Sequence, residues 1–308
     1  MRSKNYMEVE DTVIKIVSSL TGSEAVENIT LESRLKDDLG FDSLNMFELC
    51  VKLEGALKTH ISNNMDSIKT VGDIVTQIKE NKNVPSNDTE FNIEKYPLLK
   101  TKKHLWWLKA IMLISRNVWH IKAFGLENIP SDGRYILCPN HQSHFDGLWI
   151  WSAISSKRMD LSKICCLAKQ EHLDSKLSHY VLTLLGGIPV DRSGNTVPAM
   201  KRALSCINAG YTMLIHPEGT RTLDGTIQEF KGGAVKLAID AGVPVIPVRI
   251  EGAWHIFPAH RKLPKIFRFG KRYPIKITFC KPITPKGESV DELAALLQCR
   301  VMRMGEVV

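Results

Sequence analysis

Hydrophobic positions in the first eighty residues fall into helical stripes. Val9, Val13, Ile16, Val17 and Leu20 recur at helical spacing within 7–20. Met46, Leu49, Cys50, Leu53 and Leu57 predict a second helix from about Ser43 to Lys58, with Leu44, Phe47 and Val51 as an apolar strip outside its core stripe. Val71, Ile74, Val75 and Ile78 mark a third helix. Three helices with one long early loop make a small all-α bundle. Further on the period changes. RYILCPN, SKICCLAK, GGIPVDR, YTMLIHPEG, VPVIPVRIEG and YPIKITFCKPI read as strands. FDGLWIWSAIS, residues 174–185, VPAMKRALSCINAG and GGAVKLAIDAG read as helices. Strands alternating with helices predict an α/β sheet. The stretch NKNVPSNDTEFNIEK (81–95) has no core pattern and reads as a linker. The chain is thus expected to be multidomain: a bundle over 1–83, a linker over 84–95 and an α/β domain over 96–308.

Composition agrees with two domains. The 308 residues exceed the ~150 of a single average domain, and 44% apolar content supplies a core. The seven cysteines lack paired spacing, and Cys165 and Cys166 sit in the apolar run KICCLA. That usage predicts buried thiols in a reducing compartment. MRSKNYMEVEDTV has no signal-peptide pattern, and no run reaches the roughly 18 apolar residues of a membrane span. The expected location is cytoplasmic, peripheral on the inner face of the cell membrane. Charge is divided unevenly. Residues 1–85 hold 14 acidic and 10 basic residues, and the remainder holds 19 acidic and 31 basic. The basic part predicts an anionic surface or substrate. No nucleic-acid recognition motif accompanies it, so nucleic acid is not an expected partner.

Residues 95–124 carry seven basic residues and no acid. Lys102, Lys109 and Arg116 form one stripe, opposite Trp107, Ile111, Ile114 and Val118, and Trp106 and Trp119 lie nearby. A helix over 100–122 with this pattern suits a membrane surface, lying flat in the interface. The competing reading is a helix packed on its own domain. The basic segment 260–276 reads first as a solvated face.

LGFDSL joins a chain-breaking Gly40 to a capping Asp42 and to Ser43 at a helix start. Free N–H groups and partial positive charge there favour a phosphate. A lone Asp-Ser pair would be an ordinary cap. With the whole helical pattern, residues 7–82 resemble an acyl carrier protein, with D-S-L at Asp42, Ser43 and Leu44. The resemblance implies a 4′-phosphopantetheine arm, ending in a thiol, on Ser43. It also implies two partners, a phosphopantetheinyl transferase and an acyl-loading enzyme. Asn45 and Gly55 stand where that family often has acids, which implies docking that relies less on charge.

NHQSHFD (140–146) lies between a strand end and a helix start, where α/β proteins place ligands. On a regular helix His141 and Asp146 would be about 140° apart; across a turn they can meet. A carboxylate on one imidazole nitrogen leaves the other as a base. Metal binding has little support, because His141 and His144 lack a partner motif. Ser143 lacks a nucleophile elbow. In HPEGTRT (216–222), a turn glycine, a hydroxyl and a guanidinium suit a phosphate.

NHQSHFD, GGIPVDR (186–192), HPEGTR and VPVIPV (243–248) together resemble, in order and spacing, the glycerolipid acyltransferases that act on lysophosphatidic acid. The resemblance covers about residues 105–285 and implies an α/β acyltransferase domain. It implies His141 as base and Asp146 as its partner. Glu218, Gly219, Thr220 and Arg221 become the grip on the acceptor phosphate, with Lys169 and Arg192 as further anion contacts. His216 stands where phenylalanine is common, and Pro189 interrupts the strand-like run. The implied reaction moves a fatty acyl group from a thioester donor to the hydroxyl of a lysophospholipid acceptor such as 1-acylglycerol 3-phosphate. The donor is a carrier protein, the fused carrier included, or acyl-CoA. The alternative is a carrier scaffold whose second domain anchors to a membrane or acylates a non-phospholipid acceptor.

Overall fold

The computed structural model describes residues 2–21, 29–58, 61, 68–81, 101–131, 134–154, 160–169, 176–190, 196–261, 263–268 and 271–304. It forms two compact units, Met1–Asn92 with Asp191–Arg202, and Ile93–Val190 with Ala203–Val308. The expected linker 84–95 lies outside the described residues.

The first unit holds α1 (Arg2–Leu20), α2 (Ser43–Leu57) and α3 (Val71–Asn81). Val9, Val13 and Val17 of α1 and Val71, Ile74, Val75 and Ile78 of α3 are all buried, and the two helices pack together. Phe47 corrects one expectation: it is fully buried with Leu49, Cys50 and Leu53, while Met46 is only half-buried. The buried Leu35 and Phe41 of the preceding loop extend the interior beyond one helical stripe, and that widening takes in Phe47.

The second unit begins with α4 (Lys102–Val118), shorter than the expected 100–122. The chain then turns at Trp119, whose buried indole N–H donates to the Lys265 carbonyl at 2.9 Å. Strand β1 (His120–Phe124) follows. Its alternating exposure is a strand period, and every residue is paired with β9. The chain order continues β2 (Ile136–Pro139), α5 (Asp146–Ala153), β3 (Ile164–Lys169), α6 (Lys176–Leu184), β4 (Gly187–Val190) and α7 (Val197–Asn208), of which 197–202 are counted with the first unit. It ends β5 (Thr212–Leu214), α8 (Gly233–Ala241), β6 (Val245–Glu251), α9 (Ala253–Ile256), β7 (Phe267–Arg268), β8 (Lys271–Arg272), β9 (Pro274–Phe279) and α10 (Val290–Arg303).

Seven strands form one mixed sheet in the order β1-β9-β6-β2-β5-β3-β4. Every neighbouring pair is parallel except β6 with β9. Pro189 falls on β4, the edge strand, where a missing N–H costs no inner ladder bond. Helices α4 and α5 pack together and against β1; α8 packs over β2 and α10 over β6. Trp149 and Trp151 of α5 join Leu137, Ile246, Ile250 and Ile275 in one buried cluster. Sheet register sets the rest. Leu137 of β2 lies beside Leu214 of β5, and Pro139 beside Val248 of β6. The chain beyond β2 therefore emerges next to the chain beyond β5.

Candidate active site

The loop 140–145 leaves β2 pinned on both sides. Asn140 is buried and bonds β6 twice, its amide donating to the Ile250 carbonyl (3.1 Å) and its oxygen accepting the Ile250 N–H (2.8 Å). The His141 N–H donates to Glu218 Oε1 at 2.7 Å, and the His141 carbonyl accepts the Thr222 N–H at 2.9 Å. The NHQSHFD and HPEGTRT loops are thus tied through one residue.

The turn brings His141 and Asp146 together, with Nδ1 2.9 Å from Asp146 Oδ2. That oxygen also accepts the N–H groups of Gln142 (2.6 Å) and Ser143 (2.8 Å). Asp146 begins α5 and is completely buried. Burial pushes its carboxyl up to about 7, against the charge-favouring pull of His216 and the two backbone amides. A carboxylate accepting three donors orients the ring, so Nδ1 carries the proton and Nε2 keeps its lone pair. Ser143 is buried, and its hydroxyl oxygen accepts the Phe145 N–H at 3.3 Å, a loop-shaping role.

Glu218 turns inward. Its carboxylate takes the His141 amide and, at 3.1 Å, the Gln228 amide. Burial raises its pKa to about 7, and those amides pull the other way. It ties loops together and leaves no oxygen facing an anion. Gly219 turns the chain at φ +73, Thr220 is exposed, and the Arg221 guanidinium meets the ring nitrogens of His144. Lys169 ends β3 and its side chain falls outside the described set, as does all of Arg192. The reading from residue patterns missed Lys231, whose side chain crosses Gly219 at 3.5 Å from the position a β-carbon would take. The only signal was a lysine before the helix-opening glycine pair in FKGGAV.

His216, flagged only as an unusual residue, stacks on His141 with ring centroids 3.7 Å apart and planes 13° apart. Ligand atoms of His141, Asp146 and His216 lie within 4.8 Å of one another. Stacked rings direct their in-plane lone pairs side by side, so the two imidazoles do not converge on one ion.

A cavity of about 670 Å³ adjoins the loop, lined by His144, Phe145, Leu148, Phe257, Trp119 and Leu185 among others. Its size and apolar walls suit a small-molecule or acyl-chain site. A larger hollow of about 1180 Å³ along β1, β9 and α10 includes none of the motif residues.

In the first unit, Ser43 is the exposed first residue of α2. Asp42 caps the helix, its Oδ1 accepting the Leu44 and Asn45 amides at 2.8 Å each. Those amides are therefore engaged by the cap, so a phosphate on Ser43 would rest on the covalent bond more than on the helix start. An open hydroxyl on a rigid first turn fits a bulky covalent arm.

Comparison with known proteins agrees with both halves. Residues 120–251 match the family model described as Acyltransferase, and residues 11–78 the one described as Phosphopantetheine attachment site. The chain is a carrier domain followed by an α/β acyltransferase domain. More particularly, it resembles a probable 1-acyl-sn-glycerol-3-phosphate acyltransferase of Mycoplasma pneumoniae, 28% identical over 62% of this chain and 72% of that one. A Pseudomonas aeruginosa 1-acyl-sn-glycerol-3-phosphate acyltransferase is 33% identical over 46% of this chain and 54% of that one. The crystal structure of the 1-acyl-sn-glycerophosphate (LPA) acyltransferase PlsC from Thermotoga maritima aligns with TM-score 0.54 and 26% identity, covering 68% of this chain and 83% of that one. The chain thus spans little more than half of the Pseudomonas relative.

Proposed function

We propose that the protein is an O-acyltransferase that moves a fatty acyl group from a thioester to the free hydroxyl of a lysophospholipid such as 1-acylglycerol 3-phosphate. The observation that carries this reading is the His141–Asp146 pair at 2.9 Å, tied by Glu218 and Thr222 to the turn that presents Arg221. Asp146 orients His141. The Nε2 lone pair takes the proton of the acceptor hydroxyl as its oxygen attacks the thioester carbonyl. Collapse breaks the carbon–sulfur bond, and the departing thiolate takes the proton from His141. A well-placed base is worth roughly 10²–10⁴-fold. Arg221 and Lys231, with the backbone at Gly219 and the Thr220 hydroxyl, hold the acceptor phosphate. Glu218 positions His141. Lys169 and Arg192 keep their assignment as anion contacts on the motif resemblance.

The apolar cavity beside His144 takes an acyl chain. Ile114 and Leu263, which line it, are 61% and 75% exposed, so it opens onto an apolar surface. That surface continues along α4 through Trp106 and Leu113, flanked by Lys102, Lys103 and Lys109, and we assign it to the membrane interface. No described helix is long and apolar enough to cross a membrane. Ser43 carries the phosphopantetheine arm, whose thiol supplies the acyl thioester, and the in-cis carrier is the donor.

The direct test is acyl transfer to 1-acylglycerol 3-phosphate by His141→Ala. Turnover should fall by about 10²–10⁴-fold with lysolipid binding retained. Near-normal turnover would place the base elsewhere.

A further inference from the structure

We propose that His216 is a positioning residue for the His141 base, presenting a neutral aromatic face that favours His141 in its protonated form. The inference rests on the reading of His141 as base. The rings lie nearly parallel, 13° apart, at a centroid separation of 3.7 Å. Two neutral aromatic rings prefer offset or edge-on contact, because their negative faces repel. A cation over a neutral face is attracted. The stack is therefore stronger once His141 has taken the hydroxyl proton, and an interaction stronger in that state lowers the barrier.

The arrangement requires His216 to stay uncharged and to stay in place. Its Nδ1 lies 3.3 Å from the Pro139 carbonyl and 3.2 Å from the Asn140 carbonyl. Carbonyl oxygens only accept, so Nδ1 carries the proton and donates to both. These carbonyls immediately precede His141 in the chain, so the slab is tethered to the segment it supports. Burial, and then the neighbouring His141, depress its pKa to about 3, against the opposing pull of Asp146. The proton delivered to the stack therefore stays on His141.

Three substitutions separate the face from the tether. His216→Phe keeps an aromatic face and loses the donor. His216→Gln keeps a donor for the two carbonyls and loses the face. His216→Ala loses both. We expect His216→Phe to retain kcat within about threefold, and His216→Gln and His216→Ala to lose about 10–100-fold in kcat with KM for both substrates within twofold, since small misplacements of a reacting group cost up to ~10²-fold. In proton spectra of the full chain, the ring-current shift of the His141 carbon-bound protons should persist in the Phe variant and vanish in the Gln variant. Full kcat in His216→Gln would overturn the inference, as would a loss confined to KM or a loss that Phe does not restore. His141→Ala assayed alongside separates the two readings. If it is inactive while His216→Gln is fully active, the base stands and the stack does not matter. If it is active, the base assignment itself fails.

Discussion

At Asp146, activity and stability are expected to pull against each other. As a carboxylate it accepts the His141 ring N–H and orients the ring, yet burial raises its pKa to about 7 from an ordinary 3.8. A carboxyl whose folded pKa lies above its unfolded value adds stability below the unfolded pKa, and that gain is lost as pH rises through the folded value. Between about 3.8 and about 7, transfer activity should therefore rise with pH while the contribution of Asp146 to folding falls. The check is a kcat/KM profile beside thermal unfolding over the same range. Asp146→Asn should lose roughly 10³–10⁴-fold in kcat, because the ring loses its enforced tautomer. Its unfolding temperature at pH 8 should match or exceed that of the parent. A marked drop in stability with activity intact would reverse this assignment. The loop residues that make the pair were legible in NHQSHFD, because a turn of that length can fold a histidine onto an aspartate. The inward turn of Glu218 was not legible, since its partners are backbone amides supplied by other segments.

Among the elements, α4 has two unlike faces. Its buried side, Leu108, Met112 and Ser115, packs within the domain, while Trp106, Leu113 and Ile114 stay over 60% exposed. The packed reading therefore holds for the buried face, and the exposed face is the one we propose for the membrane interface. Replacing Trp106 and Leu113 together by Glu should weaken binding to vesicles of anionic phospholipid by at least about tenfold, through lost interfacial burial and added like charge. Circular dichroism should be unchanged. Unaltered vesicle binding would remove α4 from the interface. The pattern overran the helix by a few residues because HIKAF continues a basic, aromatic run; only pairing with β9 makes it a strand. Helix α10 went unread although its signals were present: Ser289 and Glu292 form a capping box ahead of Leu293, Ala294, Leu297 and Val301.

For the whole molecule, the fused carrier predicts a kinetic order. A donor joined to its acceptor domain by a linker of about 15 residues is expected to meet the acceptor site at roughly millimolar effective concentration. With the carrier loaded in cis, single-turnover transfer per chain should be unchanged on hundredfold dilution. Ser43→Ala should abolish transfer from the loading system, and full activity from free acyl-CoA would argue against obligate delivery in cis. A rate that falls in proportion to dilution would mean delivery between chains.

Local pattern alone determined the helical bundle, the strand–helix alternation, Ser43 at a helix start, and the residue types we propose for the base and the anion grip. These follow from periodicity and turn chemistry, which act over a few neighbouring positions. Tertiary structure alone decided the stack of His216 on His141, the crossing of Lys231 over Gly219 and the burial of Phe47. The reason is register. Leu137 lies beside Leu214, so two strand ends distant in sequence deliver their next residues to one place, and no spacing within either segment encodes that meeting.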